Sequence, residues 1–302
     1  MSGILITGAS GFVGSALGAH LQKKGRGAAR LARSMRADGV PHWQIDGPAD
    51  ALIHAAARVH IMNDVAADPL AEFRKVNVEG TLALARQAAQ AKVRRFVFVS
   101  SVKVNGEATT GKPFAADDAP APVDAYGISK LEAEAGLLAI GQQTGMEMVI
   151  VRPPLIYGPG VGANFLKLMK LVKMGVPLPL GAIDNRRSMV AIDNLVDLLV
   201  RCADHPAAPG QVFMASDDSD VSTTTLLRML AKAMHKRALL LPVPPALIAG
   251  SAALLGKSAV AERLLGSLQV DVAHTRSTLG WSPWVGMQEA LQSTVSHFLK
   301  HS

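Results

Sequence analysis

Tyr126 and Lys130 stand four residues apart in the run Asp124-Ala125-Tyr126-Gly127-Ile128-Ser129-Lys130. The run reads as the start of a helix. Positions i and i+4 share one helix face, so the phenol and the ammonium address one spot. A phenol titrates near ~10, and a cation beside it favours the phenolate and lowers that value. Such a pair exchanges a proton with a sugar or alcohol oxygen near neutral pH. The spacing alone also fits a solvated surface pair, although the chain has only two Tyr. Redox work at that oxygen needs a hydride donor, which other parts of the chain must hold.

The element suited to that task opens the chain. Gly3 to Gly8 is a short apolar run ending in glycine, read as a buried strand. Gly8-Ala9-Ser10-Gly11-Phe12-Val13-Gly14 follows, then helical spacing from Ser15 to Lys24. Strand, glycine turn and helix in that order are the context that gives such a motif meaning. Gly8 allows a tight turn, Gly11 lets backbone approach a pyrophosphate at the helix N-terminus, and Gly14 lets helix and strand pack closely. Gly27 to Arg33 is expected as the second strand, ending at the adenosine ribose. An acid there bonds a ribose 2′-hydroxyl, and an Arg suits a 2′-phosphate. The chain offers Arg33, with Arg30 and Arg36 nearby, and no acid before Asp38. This favours NADP(H), with NAD(H) the alternative.

The bulk composition bounds the rest. The 302 residues are 49% hydrophobic and 18% charged, a folded chain with room for one large domain or two moderate ones. Net charge is +7, but the cations are scattered and aromatic residues are only 4%. That points to a phosphate-bearing small ligand rather than nucleic acid. The most apolar stretch, Pro242 to Gly256, falls short of the ~20 residues of a spanning helix and reads as a helix of a smaller domain. The single cysteine, Cys202, is expected as a buried apolar residue and fits a reducing compartment. With a strand so near the N-terminus no signal peptide is expected, which makes the location cytoplasmic. No metal is expected.

Residues 34–50 are the difficult stretch. His42 to Asp46 has the look of a third strand and Ala51 to Ala57 of a fourth, yet only Gly47 to Asp50 lie between them. That link reaches at most ~18 Å. A crossover between parallel strands takes a dozen or more residues. The third strand is therefore expected to be shortened, irregular or absent.

Thr7-Gly8-x-x-Gly11-Phe12-x-Gly14 together with Tyr126-x-x-x-Lys130 resembles the extended short-chain dehydrogenase/reductase superfamily and its NAD-dependent epimerase/dehydratase family. Asn77-Val-Glu-Gly-Thr81, Arg152-Pro-Pro-Leu-Ile-Tyr157-Gly-Pro159 and Asn185-Arg186-Arg187 to Asp193 resemble its further blocks. The resemblance implies a cofactor site of Gly8, Ser10, Gly11, Phe12, Val13, Gly14, Arg33, Asp46 near adenine, His54, Ala55, Ala56, Ser100, Tyr126, Lys130 and Pro153. It implies that Ser101 bonds the reacting oxygen beside Tyr126. It gives Asn164 and Phe165 to uracil and phosphate, and Arg187, with Arg263, to the pyrophosphate. Asp193 is expected to cap the helix that follows it. Asn77 is either near the reacting centre or a structural clamp on backbone. Similar 4,6-dehydratases place an Asp and a Glu after the Ser; this chain has Val102 and Lys103, which leaves carbonyl/alcohol redox rather than elimination. Lys103 is a possible substrate contact or a solvated cation.

The expected fold is α/β: a Rossmann-type, doubly wound parallel sheet with a smaller, mostly helical substrate domain. Residues 1–155 plus about 188–220 would bind NAD(P), and about 156–187 plus 221–302 the nucleotide sugar. Among known groups the chain is similar to bacterial UDP-sugar 4-ketoreductases and 4-epimerases of O-antigen or capsule synthesis. That implies NADPH-dependent reduction of a UDP-4-keto-6-deoxy-N-acetylhexosamine. The alternatives are an NAD-dependent UDP-hexose 4-epimerase and a non-catalytic dinucleotide sensor on the same fold. A homodimer through helices 72–91 and 125–142 is implied as well.

Overall fold

The structure, a computed structural model, describes residues 3–59 and 68–302. The first strand β1 (Ile4–Thr7) leads through the glycine turn to α1 (Phe12–Lys23) and β2 (Ala28–Arg30). Two short strands, β3 (Arg33–Met35) and β4 (Pro41–Trp43), precede β5 (Ala51–His54). Then come α2 (Pro69–Arg74), a π-helical segment (Lys75–Gly80) and α3 (Thr81–Gln90) without a break. Next are β6 (Arg95–Val99), α4 (Ala125–Thr144), β7 (Glu147–Arg152), β8 (Leu155–Tyr157), α5 (Ala163–Met174) and β9 (Met189–Ala191). The chain continues with α6 (Ile192–Asp204), β10 (Val212–Met214), α7 (Thr223–Ala233), α8 (Pro245–Leu254) and α9 (Ser258–Leu265). It closes with α10 (Ala273–Leu279) and α11 (Met287–Lys300).

The main sheet runs β10-β7-β6-β5-β1-β2, with every pairing parallel. Its central strands are mostly apolar, as befits strands covered on both faces; β5 and β6 are buried at every position, including the polar Arg95 and His54 at their ends. On one face α1 and α6 pack through Leu17, Leu21, Leu195, Leu199 and Cys202. Burial pushes the Cys202 thiol up, so the residue is the inert apolar filler expected of it. On the other face α3 and α4 pack through Leu84, Ala88, Ala133 and Leu137. A separate core joins α5, α7 and α11 to β8 and β9 through Tyr157, Phe165, Leu227 and Leu291. Phe12 packs against both this core and the α1 side of the sheet.

No third parallel strand joins this sheet among the described residues. β3 and β4 instead pair antiparallel with each other, with Arg33 opposite Trp43. The second strand is also shorter than the Gly27–Arg33 expected: Leu31 N still donates to Ile6 O at 2.8 Å, and two residues on the chain has turned into the hairpin. The short link over 47–50 forces this outcome, since it carries the chain directly from the hairpin into β5. Trp43 anchors the hairpin; it is buried with Leu52, Leu84 and Phe96 and stands edge-on to His54, ring centroids 5.5 Å apart.

Candidate active site

The candidate residues gather at the C-terminal ends of the parallel strands, the edge at which doubly wound sheets bind ligands. Thr7 ends β1 and Gly8 follows with φ +69°, a left-handed conformation. A Cβ on Gly14 would lie 2.2 Å from Gly8 O, so only glycine lets α1 sit this close to the turn. Gly11 is the N-cap of α1, and no side chain caps that helix start. The first-turn N–H groups are thus left for another acceptor. This cradle fits the pyrophosphate of a nicotinamide dinucleotide. Ser10 and Gly11 are exposed and Phe12 and Val13 half-buried around it.

Ser101 and Tyr126 meet across the end of β6 and the start of α4. Ser101 lies two residues past the end of β6, and its Oγ accepts from Lys103 N at 3.2 Å, capping a single 3-10 turn. Asp124 caps α4 by accepting from Gly127 N at 2.7 Å. A Cβ on Gly127 would lie 2.7 Å from Lys103 O, so this glycine lets the helix start approach the Ser101 loop. Lys103 Nζ is held 2.5 Å from both Asp124 Oδ2 and Glu107 Oε1. Its ammonium braces α4 rather than standing free in solvent.

The electrostatics differ from the simple expectation of a cation depressing the Tyr126 pKa. Burial, then the Asp124 charge, pushes the phenol up to about 12, and a hydrogen bond with Ser101 opposes them. Lys130 is 2% exposed and burial brings its amine down to about 7, opposed by Glu134. Its Nζ donates to Val99 O at 2.8 Å and sits 4.4 Å from the Phe98 ring centroid and 5.9 Å from that of Tyr126.

Beneath this pair runs a buried polar line absent from the sequence expectations. Ser100 Oγ donates to Glu134 Oε1. Arg152 donates to both Glu134 oxygens, at 3.0 and 2.6 Å, and to Asn105 Oδ1 at 3.1 Å. Asn105 in turn donates to Ala115 O. Pro153 O accepts from Val102 N at 3.0 Å, tying the Ser101 loop to the end of β7. Asn77, in the π-helical segment, exchanges hydrogen bonds with Arg58 N and O and donates to Ser129 Oγ. It makes the backbone contacts expected of a clamp, and it joins the loop after β5 to α4 beside Lys130.

Several candidates face elsewhere. Ser100 is buried and spends its hydroxyl on Glu134, so it offers no side-chain contact to a ligand. His54 is 1% exposed; its ring bonds Thr7 Oγ1 at 2.6 Å and Thr81 Oγ1 at 3.0 Å and stacks on Phe98. Burial, then the Lys130 charge, brings its pKa down to about 3, leaving it neutral. Ala55 and Ala56 pass directly against Gly8, where a Cβ would meet their backbone at 2.7 to 2.9 Å. Arg33 and Asp46 are exposed at the hairpin edge, and Asp46 accepts from Gln44 Nε2 at 2.7 Å.

In the second core, Asn164 is exposed on the first turn of α5, whereas Phe165 is buried and stacked on Tyr157. The Phe165 side chain is therefore core, not ligand contact. Arg187 Nη1 donates to Arg263 O at 2.9 Å and Gly266 O at 3.0 Å, so the two arginines do come together. Burial lowers the Arg187 pKa while the Glu107 charge supports it. Asp193 lies inside the first turn of α6 and caps nothing. The groups that fasten that turn are Asp217, which accepts from Ala191 N, Asn194 Nδ2 and Tyr157 Oη, and Asn194, which also binds the backbone of Val285.

Residues 4–215 match the model of the NAD dependent epimerase/dehydratase family. A UDP-glucose 4-epimerase of Vibrio cholerae is 46% identical over 314 residues, covering 98% of this chain and 95% of the relative. Among solved structures, RMD from Pseudomonas aeruginosa complexed with NADPH superposes with a TM-score of 0.77 at 22% identity, covering 98% of this chain and 99% of the other. The UDP-glucuronic acid 4-epimerase from Bacillus cereus in complex with NAD gives 0.77 at 19% identity, with 99% of each chain covered. At those identities the two superpositions speak for the fold alone.

Proposed function

The chain belongs to the NAD dependent epimerase/dehydratase family, and we propose that it reduces the 4-keto group of a UDP-4-keto-6-deoxy-N-acetylhexosamine with NADPH. The observation that carries this reading is the meeting of Ser101 and Tyr126 beside buried Lys130, with Val102 and Lys103 where a dehydratase would need two acids. A reduced nicotinamide, when bound, would supply the hydride for the carbonyl carbon. Tyr126, protonated at neutral pH with its phenol near about 12, is the proton donor to the oxygen that becomes the alcohol. Ser101 donates to the same oxygen and fixes its position. Lys130 holds the strand end through Val99 O and, when protonated, puts positive charge beside the Tyr. Gly8, Gly11 and Gly14 receive the pyrophosphate, and exposed Arg33 favours a 2′-phosphate. Arg187, with Asn164 and Arg263, grips the UDP portion, Arg187 through a fork of donors suited to phosphate.

A UDP-hexose 4-epimerase is the second reading, favoured by the name of the Vibrio cholerae relative. Against it stands the absence of an acid after β2. We propose that the enzyme is cytoplasmic and a homodimer through residues 72–91 and 125–142. The deciding experiment is turnover of a UDP-4-keto-6-deoxy-HexNAc with NADPH and with NADH, the product identified by NMR. Stoichiometric loss of the reduced-nicotinamide absorbance supports reduction. Interconversion of UDP-hexoses with no net change in that absorbance would instead establish the epimerase.

A further inference from the structure

Helix α8 has the sequence Pro-Ala-Leu-Ile-Ala-Gly-Ser-Ala-Ala-Leu, apolar on every side but for one serine, yet none of its residues is buried. A helix apolar all round belongs in a core or in lipid. Leu247 is 64% exposed, Leu254 90% and Leu255 71%. The chain on either side extends the patch: Leu239 and Leu241 are each 51% exposed and Val260 52%. Leu239 and Leu241 are not frayed, since Leu239 O and Leu241 N both bond the backbone of Leu178. Apolar side chains are thus displayed from fixed backbone.

Charge says what covers them. Residues 221–261 contain no Asp or Glu, while Arg228, Lys232, Lys236, Arg237 and Lys257 contribute five cations, all exposed. We propose that α8 and its flanks dock on an anionic lipid surface, the leucines entering the headgroup boundary and the cations meeting lipid phosphates. Apolar area together with neighbouring Lys and Arg is the combination that holds a peripheral protein on such a surface. At ~1.5 Å per residue, α8 reaches only about half of a ~30 Å hydrocarbon layer, so it lies in the interface and does not span. A second copy of this chain is the poorer occupant, because it would set the same cations against one another. The proposal is independent of which sugar the cleft accepts.

The test is co-sedimentation of the full chain with large unilamellar vesicles of phosphatidylcholine alone or with one-third phosphatidylglycerol. The protein is expected to pellet with the anionic vesicles and to stay in solution with the neutral ones. Raising salt from about 0.1 M to about 1 M shortens the screening length from ~10 to ~3 Å and should weaken binding severalfold. Leu247→Asp and Leu254→Asp are each expected to lower the partition coefficient at least about tenfold. Arg237→Gln should lower it about fivefold. Circular dichroism melting and dinucleotide binding, both unchanged, certify that the variants are folded. Wild-type protein left in solution with anionic vesicles, or equal binding to neutral ones, overturns the proposal. So does a lipid-free, concentration-dependent dimer in the ultracentrifuge that Leu247→Asp abolishes, for that would make the face an interface between copies.

Discussion

At the end of β6, Ser100, Glu134, Arg152 and Asn105 form one buried hydrogen-bonded line under Tyr126 and Lys130, with Asn77 and Pro153 fastening the flanking loops. At the end of β2 the chain has left the sheet, the strand is exposed at all three positions, and Arg33 opens a hairpin exposed along its first strand. Both regions line the same edge of one parallel sheet. They differ in what a ligand asks of them. Proton transfer tolerates little error in the placement of a phenol, so its neighbours are fixed by buried charge. In the proposed reading the end of β2 holds an adenosine, which adds affinity but no chemistry, and there a whole strand is replaced by a hairpin anchored mainly through Trp43.

The comparison predicts the largest effect at Tyr126. Tyr126→Phe removes the proposed proton donor and should lower kcat by about 10² to 10⁴. Dinucleotide affinity, measured by fluorescence titration, should change little. A variant retaining more than a tenth of the wild-type kcat would mean that another group gives the proton. Glu134→Ala tests the buried line itself. It strands the Arg152 guanidinium, which is paired with Glu134 at 2.6 Å in a site where both side chains are almost wholly covered. Removing one partner of such a pair costs about 3 to 5 kcal/mol. The urea midpoint should fall accordingly, and a fall under about 1 kcal/mol would show that the line is not what stiffens this end.

Lys130 gives a smaller effect with a distinctive pH signature. Its amine titrates near about 7 in the folded protein and near 10.5 as an ordinary lysine. Between these values the unfolded chain holds a proton that the folded one lacks. Stability therefore rises with pH across that window, by at most about 1.4 kcal/mol per pH unit, and its penalty is complete below pH 7. Without cofactor, wild-type protein should gain stability relative to Lys130→Met between pH 7 and 10 in chemical denaturation. Parallel curves would mean that the ammonium is well solvated or paired in the fold.

The signals that could be read in the sequence were local ones. The glycine turn and the Tyr126/Lys130 spacing lie within single elements, where the helix period fixes which residues share a face. The shortness of 47–50 is equally plain, and it leaves no room for an ordinary third strand. Side-chain direction at strand ends was not plain. Adjacent residues leave a strand on opposite sides, so Ser100 turns to Glu134 while Ser101 turns to Tyr126, and only the position of α4 decides which is which. Motif position points His54 and Phe165 at ligands, but Thr7 and Thr81 claim the one and Tyr157 the other, partners 27 to 47 residues away for His54. The Glu134–Arg152 pair joins two elements whose charges, in sequence, look like ordinary surface residues.

The weakest expected perturbation is the one that most sharpens the contrast. Arg33 is exposed, heads a three-residue strand and contributes no side chain to any core cluster. Arg33→Ala should therefore shift stability by no more than about 0.5 kcal/mol. A single charge-assisted contact to a 2′-phosphate is worth about 1.5 to 3 kcal/mol, so KM for NADPH should rise about tenfold or more while KM for NADH and kcat with either stay within about twofold. Steady-state kinetics with both dinucleotides read all of these at once. Equal losses with the two would mean that Arg33 shapes the hairpin rather than choosing the cofactor. A change in kcat comparable to that of Tyr126→Phe would erase the distinction between the two ends, because the adenosine edge would then be positioning the reacting atoms after all.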